Sequence, residues 1–271
     1  MRRTSQPEIE FVVPVFKSAP YVEETLRSLL SQEGLRSSIT LRIAEAPEFK
    51  LSPELRSKIR ILHAPTGQGI GSDWTAALLS ARTPIVTLAH SDDLYEPEYA
   101  ETVLNAFHQF PEAGVAFCEN IYIGQTRRLS FLLGVKKLFN PGKFARKPVL
   151  ISAQRMERAL KFGPFIPCPT VAYNLPQIQS ALHATPLFDP LLKTALDWKA
   201  WLTLARNGLP FIYIPRPLVQ LRVHGSATTQ TTIQSGARTQ ELYDILYELW
   251  GKTVADQFIR FFIFGNGFHK I

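Results

Sequence analysis

Asp92 and Asp93 are adjacent carboxylates, and their position in the sequence favours chemistry. They follow the short apolar run 85–89, which predicts a buried strand, so they lie in the loop at its carboxyl end. Open α/β sheets bind ligands at that edge. Two ionised carboxylates repel each other, and a divalent cation carrying a diphosphate would offset this repulsion. The alternative is a solvated turn in which one aspartate caps the helix that begins near Pro97.

Asp197 is a third carboxylate in a suggestive position. It lies at or near the start of residues 196–207, whose apolar side chains recur at helical spacing. Taken by itself, a lone aspartate at this point is interpreted as the N-cap of its helix.

A glycine-rich stretch, residues 66–74, precedes another predicted helix. Glycines allow a ligand to approach the backbone closely, and a helix N-terminus favours an anion. The glycine spacing does not match a dinucleotide-binding fingerprint. A plain turn in which Ser72 or Asp73 caps the helix explains the pattern equally well.

The elements that must position these residues alternate between strand and helix. Strands are predicted over residues 9–15, 39–44 and 59–63, with a helix from Pro20 and a short helix over residues 52–58. This order predicts an α/β fold with a doubly wound, mostly parallel sheet and helices on both faces. Further strands are predicted over residues 85–89, 114–118, 171–173, 211–214 and 218–224. Two helices are predicted in the tail 236–271; the second is aromatic and is expected to pack on the domain, on a partner subunit or on a membrane.

The composition favours one large domain with a C-terminal appendage. The chain has 271 residues, of which 45% are hydrophobic, enough to bury a full core. Cys118 and Cys168 have no CxxC partner, which argues against zinc or a disulfide framework and favours buried, reduced thiols. The sequence has no apolar core near Met1 and no apolar run of roughly 18 residues, so we expect a cytoplasmic protein.

The positive charge is concentrated in one segment. Residues 127–147 contain seven basic residues and no acid, which equals the formal net charge of +7. Leucine, phenylalanine and valine are mixed with these bases, a pattern that suits an anionic membrane surface. A surface loop whose apolar residues pack on the domain is an equal alternative. Nucleic-acid binding is disfavoured, because no nucleic-acid-binding fold accompanies the basic run.

Six stretches in order resemble the family-2 glycosyltransferases, which have the Rossmann-like GT-A fold. They are FVVPVFKSAPYVEETLRSLLSQ, GQGIGSDWTAALLSA, AHSDDLYEP, IPCPTVAY, FDPLLKTALDWKAWLTLARNG and LVQLRVHGSAT. The resemblance implies a GT-A domain over residues 1–235 and a helical tail over 236–271. Within the domain it implies a donor half over about 1–120, an acceptor half over about 150–235 and a basic and apolar insertion over about 127–147.

The resemblance also implies an activity. A sugar would move with inversion from a nucleotide-diphosphate donor, with a UDP-sugar favoured, to a hydroxyl of a saccharide or lipid-linked acceptor. Surface polysaccharide or glycolipid synthesis would be the setting. The insertion would then hold the enzyme peripherally at the inner face of the cell membrane. The sequence gives no expectation for the oligomeric state.

Site residues follow by position in the family pattern. Asp92 and Asp93 correspond to the DxD-type motif, which contacts the donor ribose and a Mg²⁺ or Mn²⁺ ion, and Asp93 and His224 are the implied metal ligands. Asp197 corresponds to the general base that deprotonates the acceptor hydroxyl. The remaining implied donor-binding residues are Pro14, Val15, Phe16, Glu23, Glu45, Gly69 and Asp73.

Two departures from the family pattern motivate an alternative function. Residues 44–47 hold no aspartate pair for reading the base, and only Glu45 could substitute. His90 stands where the motif usually begins with an aspartate. The alternative that they motivate is a non-catalytic GT-A-like module that binds nucleotides or proteins. A nucleotidyltransferase is disfavoured, because residues 16–20 lack a glycine-rich basic loop.

Overall fold

The computed structural model of the chain describes residues 8–15, 19–34, 37–43, 50–64, 69–124, 137–183, 185–224 and 237–265. Two of the implied donor-binding residues, Phe16 and Glu45, lie outside these ranges. The first part of the basic insertion, residues 127–136, also lies outside them.

Strands and helices alternate through the first half of the chain. The strands are β1 (Ile9–Val15), β2 (Ser37–Ile43), β3 (Arg60–His63), β4 (Ile85–Leu88), β5 (Leu94–Tyr95), β6 (Val115–Ile123), β7 (Val149–Ile151), β8 (Val171–Asn174) and β9 (Phe211–Arg222). The helices are α1 (Val22–Leu30), α2 (Pro53–Lys58), α3 (Ile70–Leu79), α4 (Tyr99–Gln109), α5 (Ala153–Leu160), α6 (Leu175–Leu182), α7 (Leu196–Arg206), α8 (Ala237–Trp250) and α9 (Lys252–Gly265).

All of the described strands belong to one sheet. Its order is β3-β2-β1-β4-β8-β6-β9-β5, and β7 pairs with β9 off this path. The block from β3 to β4 is parallel throughout, as are β6 and β9, while β8 runs antiparallel to both of its neighbours. The mostly parallel α/β sheet predicted from the element order is therefore confirmed.

Both faces of the sheet are covered, as the apolar run in β1 predicts. Phe11 and Val13 pack into one core with helices α1 and α4, and Val12 packs into the other core with α7. Successive strand residues point to opposite faces, so a strand covered on both sides has apolar residues without alternation.

The C-terminal tail packs on the domain through α8. Leu242, Ile245 and Leu246 are buried in the same core as Trp198 and Trp201 of α7. The alternatives for the tail concern its second helix, α9, of which Ala255 lies in the same core. Among the described helices, none combines the length and apolar character needed to cross a bilayer.

One strand prediction is wrong. Residues 211–222 form the single strand β9 across Pro215 and Pro217, where two strands are predicted. The pairing of β9 with β6 shifts register on both sides of Glu119. Proline is tolerated at such an irregularity because its missing N–H breaks no regular ladder bond. Strands β5 and β7 and helices α5 and α6 have no counterpart in the sequence prediction.

The expectation for the two cysteines is confirmed. Cys118 and Cys168 are both buried, and neither forms a disulfide. The Cys168 Sγ lies 3.5 Å from the hydroxyl of Tyr173, and the Cys118 Sγ donates to the carbonyl of Thr170 at 3.7 Å.

Candidate functional site

Three chemically active side chains converge at the carboxyl end of β4. His90, Asp92 and Asp93 each offer one ligand atom, and these atoms all lie within 4.8 Å of one another. Helix α4 has Glu98 at its N-cap position, without a side-chain capping bond. The interpretation of Asp92 or Asp93 as the cap of this helix is therefore wrong, and both carboxylates remain part of the loop cluster.

Asp93 is the buried member of the cluster. Its side chain is 3% exposed, and its Oδ1 accepts the backbone N–H of Arg222 at 2.8 Å. Its backbone carbonyl accepts the hydroxyl of Thr25 at 2.9 Å. Burial, together with the neighbouring Asp92 carboxylate, raises the pKa of Asp93 well above its usual value. A cation at this cluster would favour the ionised form instead, because opposite charge stabilises a carboxylate.

Asp92 is tied to the end of β9. Its Oδ2 lies 2.9 Å from Nε2 of His224, and its backbone carbonyl accepts Nε of Arg222 at 3.0 Å. The Arg222 guanidinium lies over the ring of Tyr21 at 4.2 Å and also pairs with Glu24. A metal was expected between Asp93 and His224, and the structure brings His224 against Asp92, the adjacent carboxylate.

The strand register explains why these segments meet. Strand β5 pairs antiparallel with β9, with Leu94 opposite Gln220 and Tyr95 opposite Val219. Continuing this register by two residues places Asp92 opposite Arg222. This short antiparallel pairing therefore holds the aspartate loop against the residues that follow β9.

His90 carries an unsatisfied polar atom into the cluster. Its Nε2 is buried and has no hydrogen-bond partner among the described residues, and its ring packs on Trp74 at 4.9 Å between centroids. Burial lowers the pKa of His90, although the Asp92 carboxylate acts in the opposite direction, so the imidazole is neutral near pH 7. A buried polar group without a partner costs about 1–3 kcal/mol, which a ligand would recover.

This donor set fits a divalent cation. Carboxylate oxygens suit Mg²⁺ and Mn²⁺, and a neutral imidazole nitrogen suits Mn²⁺ and later transition metals. The unpartnered Nε2 of His90 is the observation that favours a missing ligand at this point.

Asp197 does not cap its helix. The N-cap position of α7 is Ala195, and the N-cap interpretation of Asp197 is therefore wrong. Glu241 of α8 accepts the backbone N–H groups of Lys193, Thr194 and Ala195, in the turn that leads into α7, at 2.8, 2.8 and 2.9 Å. Asp197 itself accepts the N–H of Trp198 at 2.7 Å.

Asp197 and the aspartate loop influence the same buried thiol. Burial raises the pKa of Cys168 well above its usual value, and the carboxylates of Asp197 and Asp93 raise it further. Both carboxylates therefore lie near Cys168, one on α7 and one after β4. Helix α7 is anchored by Trp198 and Trp201, whose indole N–H groups donate to backbone carbonyls at 2.8 and 3.1 Å.

The donor-binding residues implied near β1 lie beside one another. Pro14 and Val15 end β1, and Pro14 is in register with Arg42 of β2. Arg42 is buried and pairs with Asp73 of α3 at 3.6 Å. Asp73 lies within the first turn of α3, whose N-cap is Gly69, so the prediction that Ser72 or Asp73 caps this helix is wrong.

Glu23 has a contact within the protein. Its Oε1 accepts the N–H of Ser52 at 2.8 Å, and Ser52 is the N-cap of α2. Glu23 therefore links α1 to α2.

Two glycines at the start of α3, Gly69 at its N-cap and Gly71 in its first turn, permit a close approach of two backbone segments. Gly69 has φ of 121°, a conformation that L-residues with a side chain rarely adopt. A Cβ on Gly71 would collide with the carbonyl oxygen of Asp189, and one on Gly69 would meet the carbonyl of Pro190 at 3.3 Å. Residues 189–190 thus occupy the space that these glycines leave open.

Several contributors to the site have no local signal in the sequence. Thr25, Tyr21 and Glu24 lie in or next to α1, and Glu241 lies in the tail. The one available sign is Thr25, a polar residue on the buried face of an amphipathic helix. Polar residues on such a face need a partner, which here is the Asp93 carbonyl.

Comparison with known sequences identifies a family match and distant relatives. The sequence model described as Glycosyl transferase family 2 matches residues 10–152. An uncharacterized glycosyltransferase of Rickettsia typhi is 21% identical over 260 residues, which cover 94% of this chain and 75% of that protein. A second uncharacterized glycosyltransferase, from Rickettsia prowazekii, is 20% identical over 241 residues, covering 88% and 70%.

Solved structures share the fold at low sequence identity. S. aureus TarS aligns with a TM-score of 0.62 and 15% identity over 97% of this chain, which spans 44% of the TarS chain. TarS in complex with UDP-GlcNAc aligns with a TM-score of 0.65 and 15% identity, covering 89% of this chain and 65% of that chain. The mannosyltransferase PcManGT of Pyrobaculum calidifontis, in complex with GDP-Man and Mn²⁺, aligns with a TM-score of 0.55 and 17% identity, covering 89% and 64%. The GT-A fold prediction is confirmed.

Proposed function

The chain belongs to glycosyl transferase family 2, and we propose that it is an inverting enzyme that moves a sugar from a UDP-linked donor to a hydroxyl acceptor. TarS, a structure with the same fold, has been solved with UDP and with UDP-GlcNAc. PcManGT has been solved with GDP-Man and Mn²⁺. These complexes support a nucleotide-sugar donor, and we propose UDP because TarS has been solved with UDP and with UDP-GlcNAc.

The observation that carries the proposal is the cluster of His90, Asp92 and Asp93 with His224 against Asp92. It lies at the carboxyl end of β4, within the sheet edge at which open α/β folds bind ligands. His90, Asp92, Asp93 and His224 would hold a Mg²⁺ or Mn²⁺ ion. When bound, the ion neutralises negative charge that develops on the departing nucleoside diphosphate.

Asp197 is the proposed general base. Its carboxylate accepts the proton of the acceptor hydroxyl as that oxygen attacks the anomeric carbon. The bond from the anomeric carbon to the diphosphate oxygen breaks on the opposite face, so the configuration inverts. Support comes from the start of α7, where Asp197 lies in the first turn and Ala195, not Asp197, holds the N-cap position.

Arg222 is the proposed cationic partner of the donor diphosphate. Its guanidinium is held by the Asp92 carbonyl, by Glu24 and by the ring of Tyr21, so its position is fixed before a ligand arrives. Fixed positive charge next to a leaving group stabilises the transition state without reorganisation. Pro14, Val15, Gly69 and Asp73 would complete the donor side of the site.

The acceptor is proposed to be a saccharide or a lipid-linked sugar used in surface polysaccharide or glycolipid synthesis. The basic segment 127–147 supports this choice, because it would hold the enzyme peripherally at an anionic membrane face where such acceptors are found.

The test is donor binding measured by thermal shift with UDP-, GDP-, dTDP- and CDP-sugars, each with and without Mn²⁺. A ligand that binds only the native state raises the melting temperature, by about 5–10 °C at a hundredfold excess over Kd for a chain of this size. We expect a Mn²⁺-dependent shift with UDP-sugars that Asp92→Asn abolishes. Asp244→Asn, on the exposed side of α8, is the matched control and should retain the shift. No shift with any donor, together with no donor hydrolysis, would support the non-catalytic module instead.

A further inference from the structure

Three aromatic rings from three separate segments form one exposed row, which we call the aromatic patch: Phe139, Phe162 and Trp250. We propose that this patch, together with the basic loop formed by residues 137–147, docks onto an anionic lipid bilayer. The inference extends the membrane contact in the proposed function from a stretch of sequence to a defined surface. It rests on the proposed function only for its biological setting.

Each ring of the row contacts the next. Phe139 and Phe162 stack with centroids 5.7 Å apart and an interplanar angle of 7°, and Phe162 lies 5.6 Å from Trp250. Their exposed fractions are 45%, 50% and 40%, although most residues of this size and polarity are buried. A contiguous exposed apolar surface indicates an interaction site, whereas scattered single residues do not.

The patch is held in place by the fold. The indole N–H of Trp250 donates to the backbone carbonyl of Lys161 at 2.9 Å, which joins the end of α8 to the end of α5. Trp250 therefore presents an apolar ring while its polar group is already satisfied. Tryptophan is common at membrane interfaces because its large ring is apolar and its N–H is polar.

The charge next to the patch selects a lipid surface as its occupant. Residues 137–147 contain Phe139 and also Lys143, Arg146 and Lys147, with no acidic residue. Lys143 Nζ lies 4.8 Å from the centroid of Phe144, a ring that is 87% exposed. Basic groups interleaved with exposed aromatic rings match anionic head groups above an acyl boundary.

Nearby acidic residues do not oppose this contact. Glu157 pairs with Lys161 at 3.8 Å and with Arg206 at 3.6 Å, and Glu248 pairs with Lys199 and Arg206. Their charge is offset by bases on α5 and α7. A second copy of the chain is a poorer occupant, because a two-fold contact would bring two acid-free basic loops into one interface.

The experiment measures binding of the full chain to vesicles by co-sedimentation. Vesicles of phosphatidylcholine alone are compared with an equal mixture of phosphatidylcholine and phosphatidylglycerol, each at low and high salt. Wild type should bind the mixed vesicles, and less at high salt because screening weakens Coulomb attraction. Phe139→Ser/Phe162→Ser should lose at least about tenfold in apparent affinity, since two rings leave the acyl boundary. Lys143→Gln/Arg146→Gln/Lys147→Gln should lose about a hundredfold on mixed vesicles.

Leu79→Ser is the matched control, because Leu79 is 61% exposed on α3 and belongs to neither surface. It should bind as wild type does. Equal binding of wild type to neutral and mixed vesicles, no binding to either, or unchanged binding by the phenylalanine variant would overturn the proposal. A wild-type dimer in sedimentation equilibrium that Phe139→Ser/Phe162→Ser dissociates would also overturn it, in favour of a second copy.

The same variants separate this inference from the sugar-transfer proposal. A donor-induced thermal shift that persists in Phe139→Ser/Phe162→Ser shows a folded protein with an intact donor site. Vesicle binding needs no nucleotide sugar, so either proposal is able to fail while the other holds.

Discussion

Nε2 of His224 lies 2.9 Å from Oδ2 of Asp92, across a sequence separation of 132 residues. The contact joins the loop after β4 to the segment after β9, and Asp92 and Asp93 of that loop also accept hydrogen bonds from Arg222, the last residue of β9. It places an imidazole next to the one carboxylate of the pair that is not buried. The site proposed for the donor diphosphate is therefore assembled where β5 begins and its partner strand β9 ends.

Replacement of His224 should weaken metal-dependent donor binding more than it affects folding. In His224→Ala we expect the Mn²⁺-dependent affinity for a UDP-sugar to fall about 10–100-fold, as loss of a ligand or its partner typically does. Isothermal titration with and without Mn²⁺ measures this. His108→Ala, an exposed histidine on α4, is the control. An affinity that falls equally without the metal would contradict a metal-linked role.

His90 should set the preference among metal ions. An imidazole nitrogen favours Mn²⁺ over Mg²⁺, whereas an aspartate in its place favours hard cations. In His90→Asp we expect the ratio of Mn²⁺ to Mg²⁺ affinity to fall about tenfold. Pulsed electron paramagnetic resonance of bound Mn²⁺ tests the contact directly. A nitrogen signal should persist in His224→Asn and vanish in His90→Asp/His224→Asn, and its absence from His224→Asn would refute ligation by His90.

Asp197→Asn should abolish transfer and leave donor binding intact. Loss of a general base lowers kcat by about 10²–10⁴-fold, because the acceptor hydroxyl keeps its proton as it attacks. The donor-induced thermal shift should stay within the wild-type range. Full transfer by this variant would refute the role of Asp197 as the base, and Asp244→Asn again serves as the control.

Asp93 should make stability fall with rising pH when no metal is present. Folding raises the pKa of Asp93, so the native state binds its proton more tightly than the unfolded state does. The stability from this group is fully present below about pH 4, its unfolded range, and is lost as the pH rises through the folded pKa. Asp93→Asn keeps an oxygen that can accept the Arg222 N–H, but its amide has no proton that titrates in this pH range.

Urea denaturation in EDTA from acidic to neutral pH measures the difference between the two proteins. The unfolding free energy of Asp93→Asn relative to wild type should grow as the pH increases above about 4. Adding Mn²⁺ should then stabilise wild type alone. A difference that is independent of pH would contradict the raised pKa.

Glu241 should position the helix that carries Asp197. Burial acts to raise its pKa, but hydrogen bonds from the N–H groups of Ala195, Lys193 and Thr194 outweigh burial and lower the pKa. Its stabilisation is therefore present above the unfolded carboxyl pKa and is lost as the pH falls through the folded one. We expect Glu241→Ala to destabilise the protein by about 1–3 kcal/mol, because three backbone N–H groups would lose their charged acceptor.

A kinetic readout distinguishes positioning from simple stability. Glu241→Ala should lower kcat at a temperature where the protein stays folded, with donor KM unchanged, and Glu241→Gln should recover part of the loss. Glu112→Ala, an exposed glutamate after α4, is the control. Equal kcat in Glu241→Ala and wild type would show that Glu241 stabilises the fold without positioning Asp197.

The alternating elements and the loop at the end of β4 are predicted from local sequence patterns alone. The apolar run in β1 and the helical spacing in α1 and α7 depend on neighbours within a few residues, and such local patterns follow directly from strand and helix periodicity. The position of Asp92 and Asp93 after a buried strand is equally local. The resemblance to a known family depended on six such stretches in order.

How distant segments meet depends on the packing of the folded chain and has no local signal in the sequence. The pairing of His224 with Asp92 depends on the β5–β9 register, and β5 is two residues long, too short to leave a periodic signal. Glu241 binds the N–H of Ala195 across 46 residues, and Ala195 rather than Asp197 holds the N-cap position of α7. The aromatic patch likewise combines three segments. Contacts of this kind are fixed by how the sheet and helices pack, since each partner alone is an ordinary residue of its own segment.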